Sequence, residues 1–214
     1  MTAGAGAKDW MPNRGVADHR AMTTIEPAAP TPDRWSRATV HTDMWVDAHD
    51  DPRESEPATW DERGVLLDYL RRYRLTLELK CADLDPEQLA RRSVPPSTMS
   101  LLGLVRHLAD VERGWFRREM ARQDAPARFY TEADLEGDWN GAVADAAVVE
   151  EAWRAWHEEV AFAEQFVAGT TDLGTPGRSG RPLRDVLVHM IEEYARHCGH
   201  ADLLRERIDG RIGQ

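Results

Sequence analysis

Three polar residues near the C-terminus are spaced so that they share one face of a helix. Glu193 and His197 are four residues apart, and His200 follows seven residues after Glu193. At about 100° per residue, these positions lie within roughly 60° of one another. A carboxylate and an imidazole so arranged can chelate one divalent cation, because helical metal sites use similar spacings. The same residues also suit a solvated helix edge or a hydrogen-bonded pair in a core.

The helix that carries these residues is predicted to run from Pro182 to about Ile208. Its apolar side is formed by Leu183, Val186, Leu187, Met190, Ile191, Tyr194, Ala201, Leu204 and Ile208. His197 falls inside this stripe, Glu193 lies at its margin, and His200 lies further toward the solvent side. Burying an unpartnered carboxylate or imidazole is unfavourable by several kcal/mol, and a shared cation is one partner that would satisfy both groups.

A third ligand would have to come from another helix. His107 is the best-placed candidate, because it lies at the edge of the apolar side of a helix predicted from about residues 97–100 to Arg122. Other histidines lie in less suitable places, near the N-terminus or among charged residues: His19, His41, His49 and His157. Three protein ligands leave one position open for water or substrate, which is the catalytic type of metal site.

Two more residues are candidates for a fourth ligand or for a supporting hydrogen bond. His200 shares the face of Glu193 and His197. Glu112 falls near the middle of the apolar stripe of the His107 helix, where we expect it to pair with an arginine or to support a ligand. The catalytic residues, as distinct from the ligands, are not identified by the sequence.

Four amphipathic segments must position these residues. They are predicted at residues 60–81, beginning with a capping box of Thr59 and Glu62, and at about 97–122, 145–168 and 182–208, with a short helical turn after Asp85. No strand pattern competes with them, so the predicted fold is all-α, a four-helix bundle. We expect a disordered tail at 1–33, an irregular arm at 34–58 and the bundle at 59–214, with Gly210 ending the last helix.

Composition excludes several classes of function. The 214 residues carry 27 Lys and Arg against 38 Asp and Glu, and the net charge of -11 repels nucleic acid and anionic membrane surfaces. No apolar run is long enough for a membrane span or a signal peptide, and two cysteines make no disulfide framework. We therefore expect a cytoplasmic protein that binds neither nucleic acid nor membrane.

Other reactive residues are weaker candidates. Cys198 adjoins His197, but neighbouring helical residues point about 100° apart, so a small buried apolar role is expected for it. The arginines at positions 71, 72 and 74, and those at 113, 117 and 118, are expected on solvated helix faces. The sequence also lacks the Gly-x-Ser-x-Gly elbow motif that would carry the nucleophile of a serine triad.

Two segments resemble the DinB-like superfamily of metal-binding four-helix bundles. They are LLGLVRHLADVERGWF at 101–116 and GRPLRDVLVHMIEEYARHCGHADLLRE at 180–206, and the likeness extends over roughly residues 60–210. It is closest to an actinobacterial branch of unassigned function. The resemblance implies a non-sequential winding of the bundle, a homodimer, and zinc, with nickel or iron as alternatives. By position it also implies His107, Glu193 and His197 as ligands.

The resemblance also suggests a reaction, because several similar proteins are thiol S-transferases or isomerases that use mycothiol or bacillithiol. The leading hypothesis is therefore a metal-dependent transferase that activates a small thiol, with mycothiol as co-substrate, against a small electrophile. One alternative is a metal-dependent hydrolase, in which Glu112 or His200 handles protons. The other is a non-catalytic stress or dimerisation module that is stabilised by the metal.

Overall fold

Residues 31–214 are described by a computed structural model, and within them every α-helix belongs to one bundle and its connections. The bounds are α1 Glu62–Cys81, α2 Pro86–Ala90, α3 Leu101–Glu112, α4 Gly137–Asn140, α5 Ala146–Gly169 and α6 Leu183–Asp209. These 184 residues include no β-strand, which confirms the predicted all-α class. The tail predicted at 1–33 lies outside the described residues except for its last three positions.

Four long helices form the body of the fold. Helix α1 packs mainly on α6, and α3 packs mainly on α5 while also touching α6. Their apolar faces meet in one core that includes Leu70, Leu104, Leu108, Ala163, Leu187 and Met190. None of the helices in this described part is both long enough and apolar enough to cross a bilayer.

Helix α3 changes its winding before it ends. At Arg113 it passes without a break into a π-helical segment, Arg113–Met120, so the predicted end near Arg122 is close to the observed one. A π-helix is wider than an α-helix, and short π segments occur often at functional sites. In this chain the change in winding begins six residues after His107, and Trp115 lies within the π-helical segment.

The ends of the helices follow local capping chemistry. The predicted Thr59 cap of α1 is wrong: the N-cap is Asp61, whose carboxylate accepts a hydrogen bond from the Gly64 amide at 2.8 Å. The reason is that the Thr59 hydroxyl itself donates to Asp61, at 3.0 Å. At the other end of the fold, Gly210 has φ of +80° and follows α6 as predicted, and a Cβ there would collide with the Asp33 carbonyl.

The segment before α1 lies along the bundle and pairs with the chain's last residues. Between residue 31 and α1, the one helical feature is a 3₁₀ turn, Ala48–Asp50. The Trp35 amide donates to the Gly210 carbonyl and the Ile212 amide donates to the Trp35 carbonyl, both at 2.9 Å. Trp45 is buried beneath the Arg211 guanidinium, 3.5 Å from its ring centre. This segment therefore closes the end of the bundle at which α1 and α6 finish.

A buried polar network links all four long helices. Glu112 of α3 accepts two hydrogen bonds from Arg74 of α1 and one from the Tyr194 hydroxyl of α6, each at 2.8 Å. The Trp156 indole of α5 donates to the same hydroxyl at 2.8 Å. Arg74 is thus the arginine partner expected for Glu112. Both oxygens of the Glu112 carboxylate are engaged in this network.

The prediction that the arginine clusters form solvated faces is wrong for Arg74 and only partly right for Arg113 and Arg117. Arg74 is buried with Glu112. Arg113 and Arg117 are mostly buried and both bond the carboxylate of Glu159, itself almost fully buried on α5. The difference arises because Glu112 and Glu159 are buried carboxylates on neighbouring helices. The spacing of residues within one helix does not predict which residues of another helix they contact.

Candidate metal centre

The residues singled out by spacing lie where α3 faces α6. The rings of His107 and His197 are 4.8 Å apart, and the rings of Trp115 and His189 are 4.4 Å apart. The residue number rises along α3 as it falls along α6, so the two helices are antiparallel along this seam. His107 therefore faces the middle of α6, which carries Glu193 and His197.

His107, Glu193 and His197 form a cluster in which one ligand atom of each lies within 4.8 Å of the others. Ligand atoms of a tetrahedral ion at about 2.0–2.2 Å lie about 3.3–3.6 Å apart, so the side chains would draw together by up to about 1.5 Å to hold an ion. Their side chains are 27%, 28% and 13% exposed, respectively. One carboxylate and two imidazoles in a half-open position are a suitable ligand set for a divalent ion.

His107 is held from behind by a second carboxylate. Its Nδ1 lies 2.8 Å from Oδ2 of Asp138, which is buried at the start of α4. The indole of Trp139 stacks on the same imidazole, with ring centres 5.1 Å apart and planes 24° apart. Because Nδ1 is engaged, Nε2 is the nitrogen that His107 can present to an ion.

The two ligand candidates on α6 also have partners. Nε2 of His189 lies 3.2 Å from Oε1 of Glu193, whose other oxygen is 3.5 Å from Nε2 of His197. Nδ1 of His197 lies 3.4 Å from Nδ1 of His200. His200 therefore lies behind His197 and outside the cluster of three, a place that suits a supporting hydrogen bond better than a fourth ligand.

Local electrostatics favour the protonation states that bind a cation. The hydrogen bond with His197 lowers the pKa of the Glu193 carboxyl, so this group is ionised at neutral pH. Partial burial lowers the pKa of His200, with a smaller contribution from the charge of His197. An ion in the cluster would take the place of the contact between Nε2 of His197 and Glu193; a neutral His200 would then accept a hydrogen bond from Nδ1–H of His197, whose Nε2 lone pair would face the ion.

Glu112 is not part of the cluster, because Arg74 and Tyr194 occupy its carboxylate. Conversely, spacing arguments missed Asp138, Trp139 and His189. His189 precedes Glu193 by one helical turn, so its position in the same stripe was a usable signal. Asp138 and Trp139 lie in a connection, where no periodicity points to their partners.

The two cysteines are poorly suited to act as nucleophiles. Cys198 is buried on α6 and its Sγ lies 3.6 Å from the Tyr73 carbonyl. Burial raises the pKa of the Cys198 and Cys81 thiols to about 12. At neutral pH both are therefore uncharged thiols, which react poorly as nucleophiles.

We expect Cys198→Ala to retain its metal content, and any thiol transfer rate to change by less than about twofold, because a small buried thiol acts as an apolar group. Metal analysis and rate measurement on the variant check this. Iodoacetamide should label the folded wild-type protein far more slowly than the unfolded chain. Rapid labelling of Cys198 in the folded protein, together with loss of the rate, would point to a cysteine nucleophile instead.

Comparison with known proteins gives one family. The family model described as mycothiol-S-transferase matches residues 65–210. This span contains the three clustered residues and their partners Asp138, His189 and His200. A search of curated proteins finds no match.

Proposed function

The chain belongs to the mycothiol-S-transferase family, and from this premise we propose that it is a metal-dependent transferase that joins mycothiol, a low-molecular-weight thiol, to a small electrophile. The observation that supports the proposal best is the cluster of His107, Glu193 and His197, whose ligand atoms lie within 4.8 Å of one another. We expect zinc, although nickel and iron suit the same ligands.

In this proposal, Nε2 of His107, a carboxylate oxygen of Glu193 and Nε2 of His197 hold the ion. A divalent ion held there would lower the pKa of an added thiol, so that the thiolate, which is the attacking form, would be available at neutral pH. The protein's own thiols do not fit this role, because Cys81 and Cys198 are buried and uncharged. The nucleophile is therefore expected to enter from solution.

Two indoles lie beside the cluster. Trp139 lies against His107 at one end of the seam, and Trp115 lies against His189 at the other. Both indoles are partly exposed, and the three ligand candidates are between 13% and 28% exposed. We propose that the thiol and the electrophile meet in this partly open space between the two aromatic side chains.

The hydrolase alternative has less support, because both oxygens of Glu112 are engaged by Arg74 and Tyr194. Glu112 is thus not free to exchange protons with a substrate at the cluster, and His200 is the other group considered for that role. In the non-catalytic alternative, an ion would only join α3 to α6. A homodimer and a cytoplasmic location stay predictions.

Incubating metal-loaded protein with mycothiol and a panel of epoxides, alkyl halides and unsaturated acids tests the proposal. We expect thiol loss and thioether formation above the rate without protein, with chelator-treated protein inactive and free cysteine a poorer co-substrate. The proposal fails if no electrophile gives thiol loss and mycothiol does not alter the absorption of cobalt-substituted protein. Turnover of esters without thiol would instead support the hydrolase.

A further inference from the structure

We propose that Asp138 is a positioning residue for the metal centre, which holds the neutral imidazole of His107 in the tautomer that carries its proton on Nδ1. The inference deepens the proposed function, since it concerns one ligand of the same site. A buried carboxylate from a different segment of the chain engages Nδ1 of His107.

Each carboxylate oxygen of Asp138 has its own hydrogen-bond partner. Oδ1 accepts the Trp139 amide at 2.9 Å, which fixes the carboxylate at the start of α4. Oδ2 lies 2.8 Å from Nδ1 of His107. An ionised carboxylate can only accept hydrogen bonds, so the proton of this bond resides on Nδ1 and Nε2 keeps its lone pair.

The short helix that carries Asp138 is tied to α3 at three points. Arg106, the neighbour of His107, donates from Nε to the Asp138 carbonyl at 2.9 Å and from a terminal nitrogen to the Gly137 carbonyl at 3.0 Å. The Trp139 indole lies over Gly103, where an added Cβ would approach Cε3 of the indole to 2.6 Å. The Gly103 site thus needs glycine so that α4 can lie close to α3.

These contacts have a consequence for ion binding. Without Asp138, a neutral His107 would divide its population between two tautomers and could rotate about its side-chain bonds. Only the tautomer with a free Nε2 can bind an ion in the cluster, so the other population would have to convert first. A carboxylate behind the ring also makes Nε2 more basic, and loss of such a partner typically weakens metal binding by about 10–100-fold.

The tautomer can be measured without any metal, by ¹⁵N-detected NMR of imidazole nitrogens in chelator-treated full-length protein, recorded over a series of pH values. Comparison with His107→Gln assigns the signals. We expect the wild-type His107 signals to report the Nδ1–H tautomer, and Asp138→Ala to give a mixture or the Nε2–H tautomer. A wild-type His107 in the Nε2–H form, or an unchanged tautomer in Asp138→Ala, would overturn the proposal.

Zinc affinity, measured by competition with a coloured chelator, provides the second readout. We expect Asp138→Ala to bind zinc about 10–100-fold more weakly, and Asp138→Asn to lie between it and the wild type, because an amide oxygen still accepts from Nδ1. Glu132→Gln is the matched control, since it removes an exposed acid from the same connection. Equal affinity in Asp138→Ala and Glu132→Gln would contradict the proposal.

The two readouts separate this inference from the proposed function. If thiol transfer is never found, the tautomer and the zinc affinity still test Asp138. If Asp138→Ala does not fold, as judged by thermal unfolding, Asp138→Asn carries the same tests with a smaller expected change. A wild-type protein that transfers thiols but holds His107 in the Nε2–H form would support the function and refute the role of Asp138.

Discussion

Replacing His197 with alanine is expected to remove stoichiometric metal and to lower any thiol transfer rate by more than about 100-fold. Loss of a residue that only supports a ligand costs up to about 100-fold, and the loss of a ligand itself should cost more. His197 is the least exposed of the three clustered side chains and lies nearest the bundle interior. Its loss leaves two candidate ligands on different helices, which bind an ion much more weakly than three do. Elemental analysis of the purified variant and its transfer rate measure both effects.

His157→Ala is the matched control for this variant. His157 is an imidazole on α5 that lies 3.0 Å from Glu78, with more than half of its side chain exposed. We expect it to retain full metal content and rate. If His197→Ala binds as much metal as His157→Ala does, the ion is not held at the α3 and α6 seam, and the enzymatic account of the cluster fails.

The second large effect is expected on stability. Arg74→Met should lower the free energy of unfolding by about 3–5 kcal/mol, because it leaves the Glu112 carboxylate buried without its positive partner. For a domain of this size, each kcal/mol corresponds to about 2–4 °C in melting temperature. Thermal and urea unfolding of the metal-free protein measure the change without interference from ion binding.

Two further variants make this prediction specific. Arg72→Met, on the same helix, removes an arginine that is 38% exposed and pairs with Asp68, and a surface pair of this kind contributes about 0–1 kcal/mol. The double variant Arg74→Met with Glu112→Leu should recover part of the lost stability, since no charge is then left unpaired. Equal effects of Arg74→Met and Arg72→Met on the free energy of unfolding would contradict the prediction. They would show that breaking the buried pair of Arg74 and Glu112 destabilises the fold no more than breaking a surface pair.

Helical spacing was sufficient to predict much of this molecule. The all-α class and the four long helices follow from apolar periodicity, with bounds within a few residues of those observed. Spacing also predicted that Glu193 and His197 share one face of a helix, and it indicated His107 as the candidate on another helix. In the structure, ligand atoms of these three residues lie within 4.8 Å of one another. Periodicity reports which side of a helix faces the core, and it placed His197 within such a side and Glu193 and His107 at the edges of one.

The residues that escaped prediction depend on contacts between distant segments. Asp138 meets His107 across 31 positions of sequence, through a four-residue helix whose location depends on Arg106 and Gly103. Likewise, Arg74 is buried because Glu112 is presented by the neighbouring helix, a pairing that the spacing within α1 does not reveal. Local patterns define faces of helices, whereas the partners of polar groups are decided by packing between elements.

The central claim is that residues from α3 and α6 bind one ion together, and anomalous diffraction from crystals of metal-loaded protein tests it most directly. We predict a single strong peak at the absorption edge of the bound metal, within about 2.3 Å of Nε2 of His107, a carboxylate oxygen of Glu193 and Nε2 of His197. A peak bound elsewhere, or a His107 imidazole turned away from an ion on α6, would contradict the claim.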